Sequence, residues 1–150
     1  MKMKLAIAAA MSHHAKLLLL DEATSGLDPV VRDDILDVFN EFTRQEDHSV
    51  LISSHIVSDL EKICDYVVFM HKGNVILSEE KDRLLEKYAL LAMERAQYDV
   101  MPKAGVRRML DAHGTVRVLM EREYVPHGMP LERLGLEDMM LMIEKGEEIR

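Results

Sequence analysis

The sequence predicts an α/β fold built around a parallel β-sheet, and three features support this prediction. Residues 17–20 are four consecutive leucines, which cannot alternate between a wet and a dry face, so their strand is expected to be buried on both sides. A second apolar run, Ser49–Ser53, has the length of another strand. An amphipathic helix pattern lies between the two runs. Strand, helix and strand in this order predict two parallel strands joined by a right-handed crossover.

The helices of the first half are predicted from composition, capping and spacing. Residues 4–14 are rich in alanine and carry apolar side chains on more than one face, which favours a helix. The next helix starts at Asp28 and Pro29, where a carboxylate can cap the first turn and proline needs no N–H partner. Its apolar stripe follows three- and four-residue spacing and consists of Val31, Ile35, Val38, Phe39 and Phe42.

The following segment predicts a short helix, a hairpin and a charged helix. Cys64 ends an apolar stripe and is interpreted as a buried small hydrophobic side chain rather than a nucleophile. Lys72, Gly73 and Asn74 lie between two apolar runs, which is typical of a β-hairpin. Residues 79–87 then form a charged helix.

Beyond Tyr88 the pattern weakens, and a second region is expected there. Residues 116–120 predict a strand, and a last helix begins at Gly135. Its predicted inward face consists of Leu136, Met139, Met140 and Ile143. The sequence therefore predicts two regions, 1–87 with the parallel sheet and 88–150 as a small α+β extension.

The composition of the 150 residues narrows the class of protein. The formal net charge of -8 argues against a nucleic-acid partner, because binding to a phosphate backbone requires clustered lysine and arginine. A single cysteine leaves no disulfide framework and suggests a reducing compartment. No apolar run approaches the roughly 20 residues that span a bilayer. We therefore expect a cytoplasmic protein whose membrane association, if any, runs through a partner.

Two adjacent carboxylates follow the leucine run and are the first candidate site residues. In open α/β sheets ligands bind at the carboxyl ends of the strands, which is where Asp21 and Glu22 are expected. Adjacent strand residues point to opposite sides, so one carboxylate can hold a cation while the other acts on water. Carboxylate oxygens suit Mg²⁺. His55 follows the second strand and is expected at the same edge, although a lone histidine there is usually structural.

Three motifs in this order resemble one protein family. Residues 17–22 resemble the Walker B strand of ABC-type ATPases, Ser25-Gly26-Leu27-Asp28 resembles their D-loop, and residues 50–55 resemble their switch-histidine strand. The resemblance is strong over the first half of the chain and loose over the rest. It implies an ATP-hydrolysing subunit of an exporter-type ABC transporter, with residues 1–87 as the C-terminal part of the ATPase domain and residues 88–150 as an accessory region.

The resemblance also implies roles, cofactors and partners. Glu22 would be the general base, His55 would contact the γ-phosphate and orient the attacking water, and Asp21 would hold Mg²⁺ directly or through water. Ser25 and Asp28 would belong to the nucleotide-binding set, with Asp28 at the interface between subunits. ATP and Mg²⁺ are the implied cofactors of the complete protein. The implied partners are a second ATPase subunit, identical or not, and transmembrane permease subunits on the cytoplasmic face of the plasma membrane.

A phosphate loop of the form G-x-x-x-x-G-K-[ST] does not occur in the sequence, so neither tight nucleotide binding nor ATP hydrolysis is expected from this chain alone. The first residues resemble the position at or just after the end of the family's signature motif. We therefore expect a C-terminal portion that self-associates to cover its truncated sheet. Two alternatives stay open: a stand-alone module that competes for the dimer surface, and the ABC-type head of a DNA-maintenance ATPase, although no heptad coiled coil is present.

Overall fold

The computed structural model describes residues 2–112 and 114–149 and has the predicted α/β architecture. The chain forms two compact units, Met1–Ile63 and Cys64–Arg150. The sequence-based division at residue 87/88 marks where the family resemblance weakens, and it stays a prediction. No helix in the described part of the chain is both long enough and apolar enough to cross a bilayer.

The first unit contains the predicted strand–helix–strand crossover. Its elements in chain order are α1 (Lys2–Met11), β1 (Leu17–Asp21), α2 (Pro29–Thr43), β2 (Ser49–Ser53) and α3 (Val57–Ile63). Strands β1 and β2 are parallel, with Leu17 opposite Ser49 and Asp21 opposite Ser53. Both strands therefore end at the same edge.

One face of this two-stranded sheet is covered by helices. The core consists of Ile7, Ala23, Ile35, Leu36 and Phe39, with Leu20 and Ile52 packed against it. In α2 the prediction for Val38 was wrong, because Val38 is 40% exposed and Leu36 is buried instead. Each residue of a helix is rotated by about 100° from the one before it, so Leu36 and Val38 lie on opposite sides of the stripe formed by Ile35 and Phe39. The core lies on the side of Leu36.

The expectation that the leucine run is buried on both sides was also wrong. Leu18 is 3% exposed, but Leu17 and Leu19 are 54% and 69% exposed. Leu51, opposite Leu19 on β2, is exposed as well. The physical reason is that, among the residues the structure describes, β1 pairs with β2 alone and the helices of this unit cover one face of the pair, so alternate side chains point to solvent.

The second unit begins with the predicted hairpin and continues into a four-stranded antiparallel sheet. Its helices and strands are β3 (Tyr66–His71), β4 (Asn74–Glu80), α4 (Lys81–Lys87), β5 (Tyr88–Glu94), α5 (Arg95–Val100), β6 (Val106–Ala112), β7 (Thr115–Glu121), a 3-10 turn (Arg122–Tyr124), α6 (Leu136–Lys145) and β8 (Glu147–Glu148). The sheet order is β5-β7-β6-β8. The hairpin, the strand at 116–120 and the last helix agree with the sequence prediction, whereas β5, β6 and α5 were not predicted.

Both faces of the four-stranded sheet are buried along β5 and β7. Leu91 and Val118 belong to one hydrophobic core, and their neighbours Leu90 and Leu119, which point the opposite way, are 0% and 3% exposed. In α6 the buried residues are Leu136, Met139 and Met142. The prediction for Met140 was wrong, because Met140 is 38% exposed. Met142 is buried in its place.

Candidate active site at the carboxyl end of the parallel strands

Ser53 connects the ends of the two parallel strands. Its hydroxyl donates a hydrogen bond to Oδ1 of Asp21, the residue opposite it in the strand register. The backbone N–H of Glu22 donates to the Ser53 carbonyl oxygen at 3.0 Å and lies 3.2 Å from the Ser53 Oγ. From the sequence, Ser53 was identified only as the last residue of the second apolar run. Its contact with Asp21 depends on the strand register, which the sequence does not reveal.

Glu22 and His55, the two predicted catalytic residues, are in contact. Nδ1 of His55 lies 2.7 Å from Oε2 of Glu22, and both side chains are at least partly exposed, at 67% and 39%. The approach is poorly aligned for a hydrogen bond, so the Glu22 oxygen has no well-directed donor. The backbone of Glu22 has φ +49°, a conformation that non-glycine residues rarely adopt. This turn takes the chain out of β1 directly at the site.

The loop of residues 23–28 continues from this turn into α2. It is held by backbone hydrogen bonds from Ser25 N–H to the Glu22 carbonyl at 3.0 Å and from Leu27 N–H to the Thr24 carbonyl at 3.4 Å. Asp28 caps α2, with its Oδ1 accepting from Val31 N–H at 3.1 Å. Ser25 and Asp28 are both exposed. The structure thus places them on the loop that leaves the site.

Two charged residues under this loop were missed from the sequence. Asp59 on α3 is 2% exposed, and its Oδ2 lies 3.8 Å from Nε of Arg32 on α2. The Arg32 guanidinium also donates to the Leu27 carbonyl oxygen at 3.3 Å. A signal was present, since Asp59 lies four residues before Ile63 and three after Ile56, on the apolar side of α3.

The donor set at this edge suits an ion that arrives with a phosphate ligand. No group of three or more histidine, cysteine, aspartate or glutamate side chains within residues 2–112 and 114–149 is arranged to hold a metal. Mg²⁺, however, usually takes one or two carboxylates and completes its shell with water and substrate phosphates. The exposed Asp21 carboxylate, oriented by Ser53, fits that requirement.

Comparisons with known proteins agree with the family resemblance. The chain is 39% identical over 82 residues to the lantibiotic transport ATP-binding protein SrtF of Streptococcus pyogenes, covering 55% of this chain and 35% of that protein. It is 35% identical over 167 aligned positions to the uncharacterized ABC transporter ATP-binding protein YhcH of Bacillus subtilis, covering 100% and 55%. It is 42% identical over 77 residues to the methionine import ATP-binding protein MetN 1 of Bacillus cereus, covering 51% and 22%.

The chain thus spans between 22% and 55% of the length of these three relatives. No family model matches it. The match to YhcH includes residues 88–150, the region over which the sequence motifs are weakest.

Proposed function

Because this chain is a homologue of the ATP-binding proteins of ABC transporters, we propose that it is the C-terminal portion of a transporter's ATP-hydrolysing subunit. The match to YhcH, which covers 100% of this chain and 55% of that protein, supports one assignment for both regions of the chain. The exporter type comes from the family resemblance alone, in which residues 88–150 are similar to the variable C-terminal extension of exporter-type ABC subunits.

The contact between His55 and Glu22 beside Asp21 is the observation that carries this proposal. In the proposed reaction Glu22 accepts a proton from water while the water oxygen attacks the γ-phosphorus of ATP, which leaves ADP and phosphate. His55 contacts the γ-phosphate and orients that water. Asp21 would hold Mg²⁺, which neutralises charge on the phosphates. Ser25 and Asp28 contribute to the nucleotide site from the exposed loop, with Asp28 at the subunit interface.

The proposed partners follow from the same assignment. They are a second ATPase subunit, identical or different, and transmembrane permease subunits that hold the protein on the cytoplasmic face of the plasma membrane. The chain alone is proposed not to hydrolyse ATP, since its sequence contains no G-x-x-x-x-G-K-[ST] segment to supply a phosphate cradle and lysine.

Calorimetry tests the statement about the isolated chain. We expect no saturable heat when Mg²⁺-ATP is titrated into the purified chain, and none for Glu22→Gln. Saturable binding that depends on Mg²⁺ would contradict this expectation and would show that the chain builds a nucleotide site without a phosphate loop.

A chimera tests the catalytic assignment itself. The segment of YhcH that matches this chain is replaced by this chain, and Mg²⁺-dependent ATP hydrolysis is measured with native YhcH as reference. We expect hydrolysis, and we expect Glu22→Gln to lower kcat by about 10² to 10⁴, the usual contribution of a general base. Asp33→Asn, an exposed change on α2, is the matched control. A chimera that keeps its full activity after the Glu22→Gln change would overturn the assignment.

A further inference from the structure

We propose that Arg32 and Asp59 form a positioning pair that fixes the loop of residues 23–28 relative to α3, which begins two residues after His55. The catalytic consequence of this pair rests on the proposed function, but its structural consequence does not. Neither residue belongs to the three family motifs described above. The proposal is based on the burial of Asp59 and on the two contacts of the Arg32 guanidinium, one with the Asp59 carboxylate and one with the Leu27 carbonyl oxygen.

The burial of Asp59 requires a counter-charge. Its side chain is 3% exposed, and a buried carboxylate without a paired cation is strongly unfavourable. Nε of Arg32 lies 3.8 Å from Oδ2 of Asp59, close enough for an ion pair but too far for a hydrogen bond. Arg32 is therefore held at Asp59 mainly by charge, and its N–H groups stay available for other acceptors.

The second acceptor of Arg32 is in the loop beside the site. One terminal nitrogen donates to the Leu27 carbonyl oxygen at 3.3 Å. On the other side, the Asp59 backbone N–H donates to the Ile56 carbonyl at 3.1 Å, and the Ile56 N–H donates to the Ser54 hydroxyl at 3.0 Å. A continuous series of contacts thus runs from the loop through Arg32 and Asp59 to the residues on either side of His55.

The role of the Arg32–Asp59 pair is not explained by a need to join α2 to α3. Lys62 and Asp33 already join α3 to α2 through an exposed ion pair at 2.7 Å. That pair involves no atom of the loop and avoids the cost of burying a charge. The feature specific to Arg32 is that a rigid planar fork contacts the loop carbonyl and the buried carboxylate together.

This difference allows a variant that separates positioning from charge compensation. Arg32→Lys keeps a positive charge for Asp59, but a single ammonium on a flexible stem does not reproduce the fork. Arg32→Met combined with Asp59→Leu removes the buried charges altogether, which often leaves stability unchanged or improved. We expect both variants to lose the bridge to Leu27 and to keep the folded state.

The test is amide hydrogen exchange on the full chain, followed by NMR together with the urea midpoint. In both variants we expect the Ser25 and Leu27 amides to exchange about ten- to a hundredfold faster, the loss expected for a hydrogen bond to a charged group. The β1 and β2 amides and the midpoint should stay near the wild-type values. Asp33→Asn is the matched control and should change none of these amides.

Either of two results would overturn the positioning role. The first is unchanged exchange at Ser25 and Leu27 in Arg32→Lys. The second is faster exchange throughout the first unit in step with a lower urea midpoint, which a merely structural pair would produce. In the YhcH chimera, Arg32→Lys should lower kcat about ten- to a hundredfold with the KM for ATP unchanged. An inactive chimera would count against the proposed function, whereas the exchange result would stand independently.

Discussion

At the scale of single residues, the backbone of Glu22 suggests that the site costs the fold some stability. The left-handed conformation at φ +49° is unfavourable by about 1–2 kcal/mol for a residue with a Cβ, and glycine avoids that cost. We expect Glu22→Gly to raise the free energy of unfolding by up to about 1 kcal/mol in urea titration while abolishing ATP hydrolysis in the chimera.

Lys72 provides the control for that prediction. It has the same φ of +49° in the hairpin between β3 and β4, away from the candidate catalytic residues in sequence. Lys72→Gly should give a similar gain in stability without loss of hydrolysis. If both glycine variants were less stable than wild type, the conformation would not be a source of strain.

Cys64 yields a prediction about pH. Burial raises the pKa of its thiol, with Lys81 opposing the shift and Asp65 adding to it. The folded state therefore holds the proton more tightly than the unfolded chain does. This contribution to stability is present below the ordinary thiol pKa of about 8.5 and is lost as the pH rises through the raised value.

We accordingly expect iodoacetamide to alkylate native Cys64 more slowly at pH 8 than the same cysteine in the urea-unfolded chain. The free energy of unfolding should fall as the pH rises above about 9, and Cys64→Ser should remove that component of the fall. Equal alkylation rates in the native and unfolded chain would contradict the expected effect of burial.

Single residues also show what the sequence could and could not reveal about the site. Asp21, Glu22 and His55 were placed at one edge because parallel strands end there, an argument that needs only strand order, whereas the role of His55 came from the family resemblance. The hydrogen bond from Ser53 to Asp21 and the pairing of Arg32 with Asp59 depend on register and on which side of a helix faces the core. The first contact spans 32 positions of the sequence and the second spans 27, so no local pattern specifies either of them.

At the scale of elements, the start of α2 provides a test of the predicted cap. Asp28 accepts a hydrogen bond from Val31 N–H at 3.1 Å. Asp28→Ala should lower the free energy of unfolding by about 1 kcal/mol, because it leaves that donor unsatisfied. Asp37→Ala, an exposed acidic position in the middle of the same helix, should change it by less than about 0.5 kcal/mol. An equal effect of both changes in urea titration would show that the cap contributes nothing.

Most elements predicted from apolar periodicity or turn residues were found, whereas the short helix α5 and the strands β5 and β6 were missed. Strand β5 (Tyr88–Glu94) contains alanine, leucine, methionine and glutamate, which favour a helix, and shows no polar alternation. It forms a strand because β7 pairs with it along its whole length and both of its faces are buried. Strand propensity is decided by such neighbours more than by local sequence.

At the scale of the whole molecule, the leucine run shows how far a local pattern can predict burial. The four leucines correctly indicated a strand of a parallel sheet. They also indicated cover on both faces, yet the helices of the first unit cover only one. The exposed face carries Leu17, Leu19 and Leu51 side by side across β1 and β2. Contiguous apolar surface of this kind favours association with another apolar surface.

We therefore expect the purified chain to self-associate at micromolar concentration through this face of the sheet. Leu19→Lys should shift sedimentation velocity profiles toward the monomer, because a lysine opposite Leu51 would be desolvated in the associated state. Val100→Lys changes an exposed apolar residue on α5 of the second unit and should leave the profiles unchanged. A wild-type chain that sediments as a monodisperse monomer across this concentration range would contradict the prediction, and an equal effect of the two lysine variants would place the contact elsewhere.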